Sequence, residues 1–148
     1  MRALIQRVEA AEVSVDGERV AKISCGLLVL AGIHRDDQAD DGEKLIKKIL
    51  SLRIFEDDAG KMGRSVTDIH GALLIVSQFT LFGALNKGTR PDFSASMNGE
   101  SARQFFHDWM LRLRASTNLT VEEGQFGAHM KVSLINDGPV TLMLDSRV

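Results

Sequence analysis

Two short segments hold the residues whose types and places invite chemistry: Ser77-Gln78-Phe79-Thr80 and Asn136-Asp137-Gly138-Pro139. The first closes an apolar run. A hydroxyl, an amide and free backbone N–H groups therefore collect at a strand end, where main-chain donors can serve as an oxyanion hole. Ordinary strand termination explains the same pattern, and both readings stand. Ser77 also admits a nucleophile reading with a histidine base elsewhere, set against a strand serine satisfied by backbone. In the second segment, Asp-Gly between two apolar runs normally signals a type I′ hairpin, but the proline that follows disfavours the ψ such a turn asks of Gly138. A cis Gly138–Pro139 bond would reverse the chain differently and aim two carbonyls in a fixed direction.

Other chemistry is thinly represented. His34, His70, His107 and His129 fall in four separate segments without metal-ligand spacing, and GxSxG, Walker A and GxGxxG motifs are absent, so no metal or cofactor is expected. Cys25 is the sole cysteine, beside the apolar run GLLVL; it reads as a small core residue in a reducing compartment, with a nucleophile as the lesser option. Eighteen Lys+Arg against twenty Asp+Glu give a net charge of −2, so a nucleic-acid partner would have to be held by a local basic patch or by its free end. The longest apolar stretch, Gly26 to Ile33, is far short of the roughly 18 residues of a membrane span. With no apolar signal segment at the start, the expectation is a cytoplasmic protein without a membrane partner.

Positioning the two segments falls to a β-rich chain. At 148 residues and 44% hydrophobic positions it is expected to form one domain, 1–148, with a substantial core. Ala3 to Val8 alternates as a half-buried strand, and Glu12 to Val15 and Glu18 to Ile23 flank a turn at Asp16-Gly17. Gly26 to Ile33 reads as a strand buried on both faces. Asp40 or Asp41 can cap a helix with its stripe at Leu45, Ile46, Ile49 and Leu50. Leu52 to Glu56 reads as strand, Asp57 to Lys61 as turn and Ser65 to Ile69 as a return strand. Gly71 to Phe82 begins as a central strand and turns polar at Ser77. After a loop at Asn86 to Pro91, Asn98 caps a second helix with Ala102, Phe105, Phe106, Trp109, Met110 and Leu113 on one face. Leu119–Glu123, His129–Ile135 and Val140–Asp145 read as strands. The fold class is α/β (α+β), two principal helices serving mainly antiparallel sheets.

The segments Val76-Ser77-Gln78-Phe79-Thr80-Leu81 and Asn136-Asp137-Gly138-Pro139-Val140-Thr141 resemble the signature motifs of the D-aminoacyl-tRNA deacylases. The resemblance covers nearly the whole chain, taking in Ile5-Gln6-Arg7-Val8, Gly26-Leu27-Leu28-Val29-Leu30, Leu52-Arg53-Ile54-Phe55, Gly60-Lys61-Met62, Lys87-Gly88-Thr89-Arg90-Pro91, and Phe126-Gly127-Ala128 with Met130. Gly63 stands where the family commonly has asparagine, and Phe82 to Asn86 is looser than the family sequence.

The resemblance implies a compact three-layer fold and a homodimeric, metal-independent, cytoplasmic hydrolase that splits the ester between a D-amino acid and tRNA, with no cofactor and no DNA partner. It implies a cis Gly138–Pro139 segment inserted into the partner's pocket and secured by Arg7. Ser77, Gln78, Phe79 and Thr80 would form the other wall, and Met130 and Phe126 would line the substrate site. Arg64, Lys87 and Arg90 are the candidate tRNA contacts. An aminoacyl ester is already activated, so a placed water and oxyanion donors suffice, and the terminal ribose 2′-hydroxyl would assist. A noncatalytic RNA-binding or dimerisation module, and a small-ester hydrolase using Ser77, are the competing readings.

Overall fold

The computed structural model describes residues 1–86 and 88–148. Strand β1 (Arg2–Val15) organises the sheet. Along one edge it pairs antiparallel with β8 (Lys131–Asp145); along the other it pairs with β3 (Gly26–Gly32) through Arg2–Val8 and with β2 (Glu18–Ile23) through Ala11–Val15. Beyond β3 the order continues with two parallel neighbours, β6 (Ala72–Ser77) and β7 (Val121–Glu123). The short pair β4 (Phe55–Glu56) and β5 (Met62–Arg64) lies apart as a second sheet.

The expectation of two strands before Asp16 is corrected to one strand with a bulge. Val8 pairs with Asn136 and Ala10 with Ile135, so two steps along β1 match one along β8. An unmatched residue reverses which side chains point to which face. Ala3 and Ile5 accordingly join the core beneath the helices, whereas Ala11 and Val13, also odd-numbered, join a second core with Ala21, Ile23, Leu28 and Leu74. Strands β3 and β6 serve both cores by simple alternation, Leu27 and Val29 facing one and Leu28 the other. Helices, central sheet and the folded-over ends of β1, β2 and β8 thus make the three layers.

Helix α1 (Ala39–Ser51) buries Leu45, Ile46 and Ile49, and α2 (Gly99–Ala115) buries Phe106, Trp109, Met110 and Leu113. Each such aliphatic side chain contributes roughly 1.5–3 kcal/mol of apolar transfer. The Trp109 indole N–H donates to the Gly42 carbonyl at 3.0 Å, locking α2 to α1. Asn98 caps α2 through a bond from the Ser101 N–H, as its sequence position implied. For α1 the cap residue is Gln38, and Asp41 stands one turn in, accepting from the Gln38 N–H at 2.9 Å. Near it, the Met1 ammonium bonds Asp37 at 2.8 Å and Ser146 at 2.6 Å, tying together the first strand, the approach to α1 and the end of β8.

Further differences have local causes. Ser65–Ile69 is a turn and not a strand, because the Asp68 carboxylate accepts from both the N–H and the hydroxyl of Ser65 and curls the segment; the return strand is β5. The strands expected at Leu52–Glu56 and Leu119–Glu123 are confined to β4 and β7. Cys25 is exposed, in the turn between β2 and β3, where its backbone carbonyl and not its side chain meets the sheet by accepting from the Ala72 N–H. The strands expected at His129–Ile135 and Val140–Asp145 are joined in one, β8, which starts at Lys131 and leaves His129 and Met130 outside it. Among the described residues, no helix is long and apolar enough to cross a membrane.

The Gln38 N–H holds the Asp41 carboxyl below the usual carboxylate range against a smaller opposing effect of burial, and the Ser65 N–H and hydroxyl do the same for Asp68. A carboxyl whose folded pKa is depressed contributes stability that is complete above its unfolded pKa, near pH 4, and is lost as the pH falls through the folded value. The unfolding midpoint is expected to be flat with respect to these groups above about pH 5 and to drop below about pH 4. Asp41→Asn should shrink that acid-side drop, as followed by thermal unfolding monitored by circular dichroism.

Candidate active site

The parallel strands β3 and β6 end together, Ala31 opposite Ser77, and a cavity of about 550 Å³ opens at those carboxyl ends. Cavities of this volume and at this kind of strand end are usual places for small ligands. Ser77, Gln78, Phe79, Met97, Phe126 and Met130 are among its lining residues. Five of the expected site residues therefore share one mostly apolar pocket.

The local backbone explains how the first motif reaches it. The Gln78 N–H donates to the Ala31 carbonyl at 2.8 Å, after which the chain leaves the sheet in a single 3₁₀ turn, Phe79–Phe82. At the start of that turn the N–H groups of Phe79 and Thr80 have no intrahelical acceptor. The Phe79 carbonyl is fixed by the Ser96 hydroxyl at 2.9 Å, and its ring stands edge-on to Phe93 with centroids 5.0 Å apart. Thr80 is exposed and outside the pocket lining; its hydroxyl accepts from the Gln78 side-chain amide. Among the described residues, no histidine hydrogen-bonds Ser77 or Thr80, and no three His, Cys, Asp or Glu side chains converge on a metal-sized site. On the opposite wall Phe126 packs on Phe106 at 5.5 Å, with the Arg103 guanidinium 5.0 Å from its ring centroid.

The second motif lies elsewhere. Gln6 pairs with Thr141 and Val8 with Asn136, so a two-residue step on β1 faces a five-residue step on β8, and Asp137, Gly138 and Pro139 bulge out exposed. The chain does not reverse here. The hairpin reading and the expectation of a reversal through the cis bond both give way to an excursion within one strand, although the Gly138–Pro139 bond is cis. Gly138 has φ +148°, and a Cβ there would come within 2.6 Å of the Val140 side chain, so glycine is required.

Beneath the excursion Arg7 is 6% exposed. Its Nε donates to the Asp137 carbonyl at 3.0 Å and lies 3.2 Å from the Asp137 carboxylate, and its Nη1 donates to the Ile54 carbonyl at 2.6 Å. The sequence marks Asn136 only as the first residue of its motif, with no role of its own, yet its side chain bonds the Arg7 carbonyl on β1 and the main chain of Val140 beyond the excursion. The available signal was its position, an amide able to donate and accept at the foot of an Asp-Gly segment.

Neither Gly138, Pro139 nor Arg7 lines the pocket. Arg7 pairs with Leu27, four residues before Ala31 on β3, a separation of about 13 Å along the strand. Of the candidate tRNA contacts, Arg64 is on β5 and paired with Asp58 at 2.6 Å, Arg90 is exposed in the loop after the 3₁₀ turn, and Lys87 lies outside the described residues.

The family model described as D-Tyr-tRNA(Tyr) deacylase matches residues 4–145. The chain belongs to that family. It is an enzyme, a deacylase. It is 55% identical to a D-aminoacyl-tRNA deacylase of Chloroherpeton thalassium, over 99% of this chain and 96% of that one, and 51% identical to one of Thermosipho melanesiensis, over 99% and 98%. Among solved structures, one titled c-Myc DNA Unwinding Element Binding Protein is similar with a TM-score of 0.94 and 42% identity, covering 98% of both chains. Another, titled as a probable eukaryotic D-amino acid tRNA deacylase, has a TM-score of 0.76 at 18% identity, covering 97% of this chain and 98% of that one, a likeness of fold.

Arg7→Ala is expected to lower stability by about 1–3 kcal/mol, because it leaves the Ile54 and Asp137 carbonyls without their donor. Activity should fall more than the lost stability explains, since the excursion is freed. Urea unfolding together with deacylation rates on the same preparations checks this; unchanged values of both would make Arg7 a dispensable strand residue.

Proposed function

We propose that this chain hydrolyses the ester of D-aminoacyl-tRNA, releasing free D-amino acid and tRNA, and that it acts as a homodimer in which Gly138 and Pro139 of each subunit enter the pocket of the other. The carrying observation is the division of the motifs within one chain. A pocket lined by Phe79 and Phe126 holds Ser77, Gln78 and Phe79 of the first motif, while the second is an exposed, braced projection that does not line it. A second copy supplies what the pocket lacks. The exposed Ile135, Leu142 and Met143 on β8 support such a contact, because exposed apolar side chains gathered on one strand make a surface that proteins cover.

The chemistry follows from the groups at hand. The terminal nucleoside and its ester carbonyl enter the pocket, the N–H groups of Phe79 and Thr80 receive the developing oxyanion, and a water assisted by the ribose 2′-hydroxyl attacks. Main-chain carbonyls of Gly138 and Pro139 crowd the substrate Cα on the side an L side chain would occupy, so rejection is steric and indifferent to side-chain identity. Charged tRNA as substrate makes the cytoplasm the working compartment. The deciding experiment incubates the purified protein with D-Tyr-tRNA and L-Tyr-tRNA, with and without EDTA. Release of D-Tyr alone, unaffected by chelator, is expected; no release would leave a binding module, and release of both a general esterase.

A steric filter cannot exclude a substrate smaller than the one it is built to reject. On one tRNA, D-Ala and Gly are therefore expected to be released and L-Ala almost not at all. L-Ala released as fast as D-Ala, or Gly protected as fully as L-Ala, would shift specificity to a side-chain pocket.

Thr80→Ala is expected to stay within about tenfold of the parent rate, because the backbone donors survive the change. A single-turnover loss of about 10⁴ with tRNA binding intact would instead make the hydroxyl a nucleophile or base.

A further inference from the structure

The Asn136 side chain closes the mouth of the excursion. Its Nδ2 donates to the Arg7 carbonyl at 3.2 Å and to the Val140 carbonyl at 2.9 Å, while its Oδ1 accepts from the Val140 N–H at 3.1 Å. Asn136 itself precedes Asp137, Gly138 and Pro139 and Val140 follows them, so a single planar amide, steadied on the Arg7 carbonyl of β1, sets the distance that the three residues must span. The strand ladder cannot do this, because its register jumps from Val8 opposite Asn136 to Gln6 opposite Thr141 and leaves Val140 without a partner on β1. Only a primary amide supplies two donors and an acceptor in one plane; a carboxylate offers acceptors alone, and alanine offers nothing.

We infer that Asn136 is a positioning residue for stereochemical discrimination. It touches no substrate, and it fixes the direction of the Gly138 and Pro139 carbonyls by fixing the width of the loop that carries them. Arg7 braces the same loop at Asp137, ahead of the two carbonyls, whereas Asn136 grips Val140, immediately after them. Released at Val140, the carbonyls gain freedom to swing aside for an L side chain. This inference rests on the reading of Gly138 and Pro139 as the selector and goes beyond it by placing control of selectivity in a side chain outside that pair.

The test measures release from D-Tyr-tRNA and L-Tyr-tRNA by the parent protein, Asn136→Ala and Asn136→Asp, with thermal unfolding and backbone amide hydrogen exchange on each. In both variants the ratio of D to L release is expected to fall by about tenfold or more, chiefly because L release rises. A ratio unchanged, or D and L release falling in step, overturns the inference and leaves Asn136 a structural residue. Parent protein that releases D and L equally overturns the selector reading and this inference with it, and is recognised before any variant is compared. Should Asn136→Ala fail to fold, Asn136→Asp keeps the question open to measurement. Faster exchange confined to residues 137–140 supports the inference, and faster exchange spread along β1 and β8 overturns it.

Discussion

The hydrogen-bonding edges of β1 are the constraint on which the molecule depends. Over Arg2–Val8 the strand is shared between β3 and β8, and over Ala11–Val15 between β2 and β8, so it meets a neighbour on each side along most of its length. A buried strand leaves little alternative, since an unpaired main-chain polar group away from water is costly. The exception is the stretch opposite Asn136 to Thr141, and there side chains take over from the ladder: Arg7 from β1 and Asn136 from β8 supply the bonds that backbone pairing omits. The projecting motif is thus a controlled lapse in pairing, rigid because its bonding deficit is met by a guanidinium and an amide.

The pocket depends on the same strand less directly. Because β1 holds β3 in register, β3 can present its carboxyl end beside that of β6, and the Ala31 carbonyl captures Gln78 as the chain turns off the sheet. The 3₁₀ turn follows from that capture and brings Phe79 to the pocket wall. Pocket and projection are consequently fixed at opposite ends of β3 by one sheet.

Much of this was legible in the residues. The α2 stripe from Ala102 to Leu113, the Asn98 cap, the turn at Asp16-Gly17 and the doubly buried β3 follow from periodicity and local turn chemistry, which act over a few residues. The gathering of Ser77, Phe79, Phe126 and Met130 in one pocket was legible only through family resemblance, since Ser77 and Met130 meet through a sheet that sequence spacing does not encode. What misled was local evidence overridden at long range. Asp137-Gly138 has the composition of a turn, but β1 runs past it on both sides and keeps the chain in one direction. Ser65 to Ile69 carries the β-branched Val66, Thr67 and Ile69, but one carboxylate, that of Asp68, takes the N–H and the hydroxyl of Ser65. Cys25 borders an apolar run, yet the turn preceding β3 points it to solvent.

The bulge in β1 explains why the first strand looked like two, and it bears on how such a chain can vary. Ala3 and Ile5 answer to one core and Ala11 and Val13 to the other, although all four are odd positions, because a single unmatched residue between Val8 and Ala10 changes the phase of the pleat. A substitution at Glu9 or Ala10 alters one side chain. Removal of one residue there works as a frameshift in space: every later residue of β1 trades its face, and the polar set Glu12 and Ser14 is turned toward the second core. Through residues 8–10 it is therefore the count of residues, more than their identity, that inheritance has to preserve.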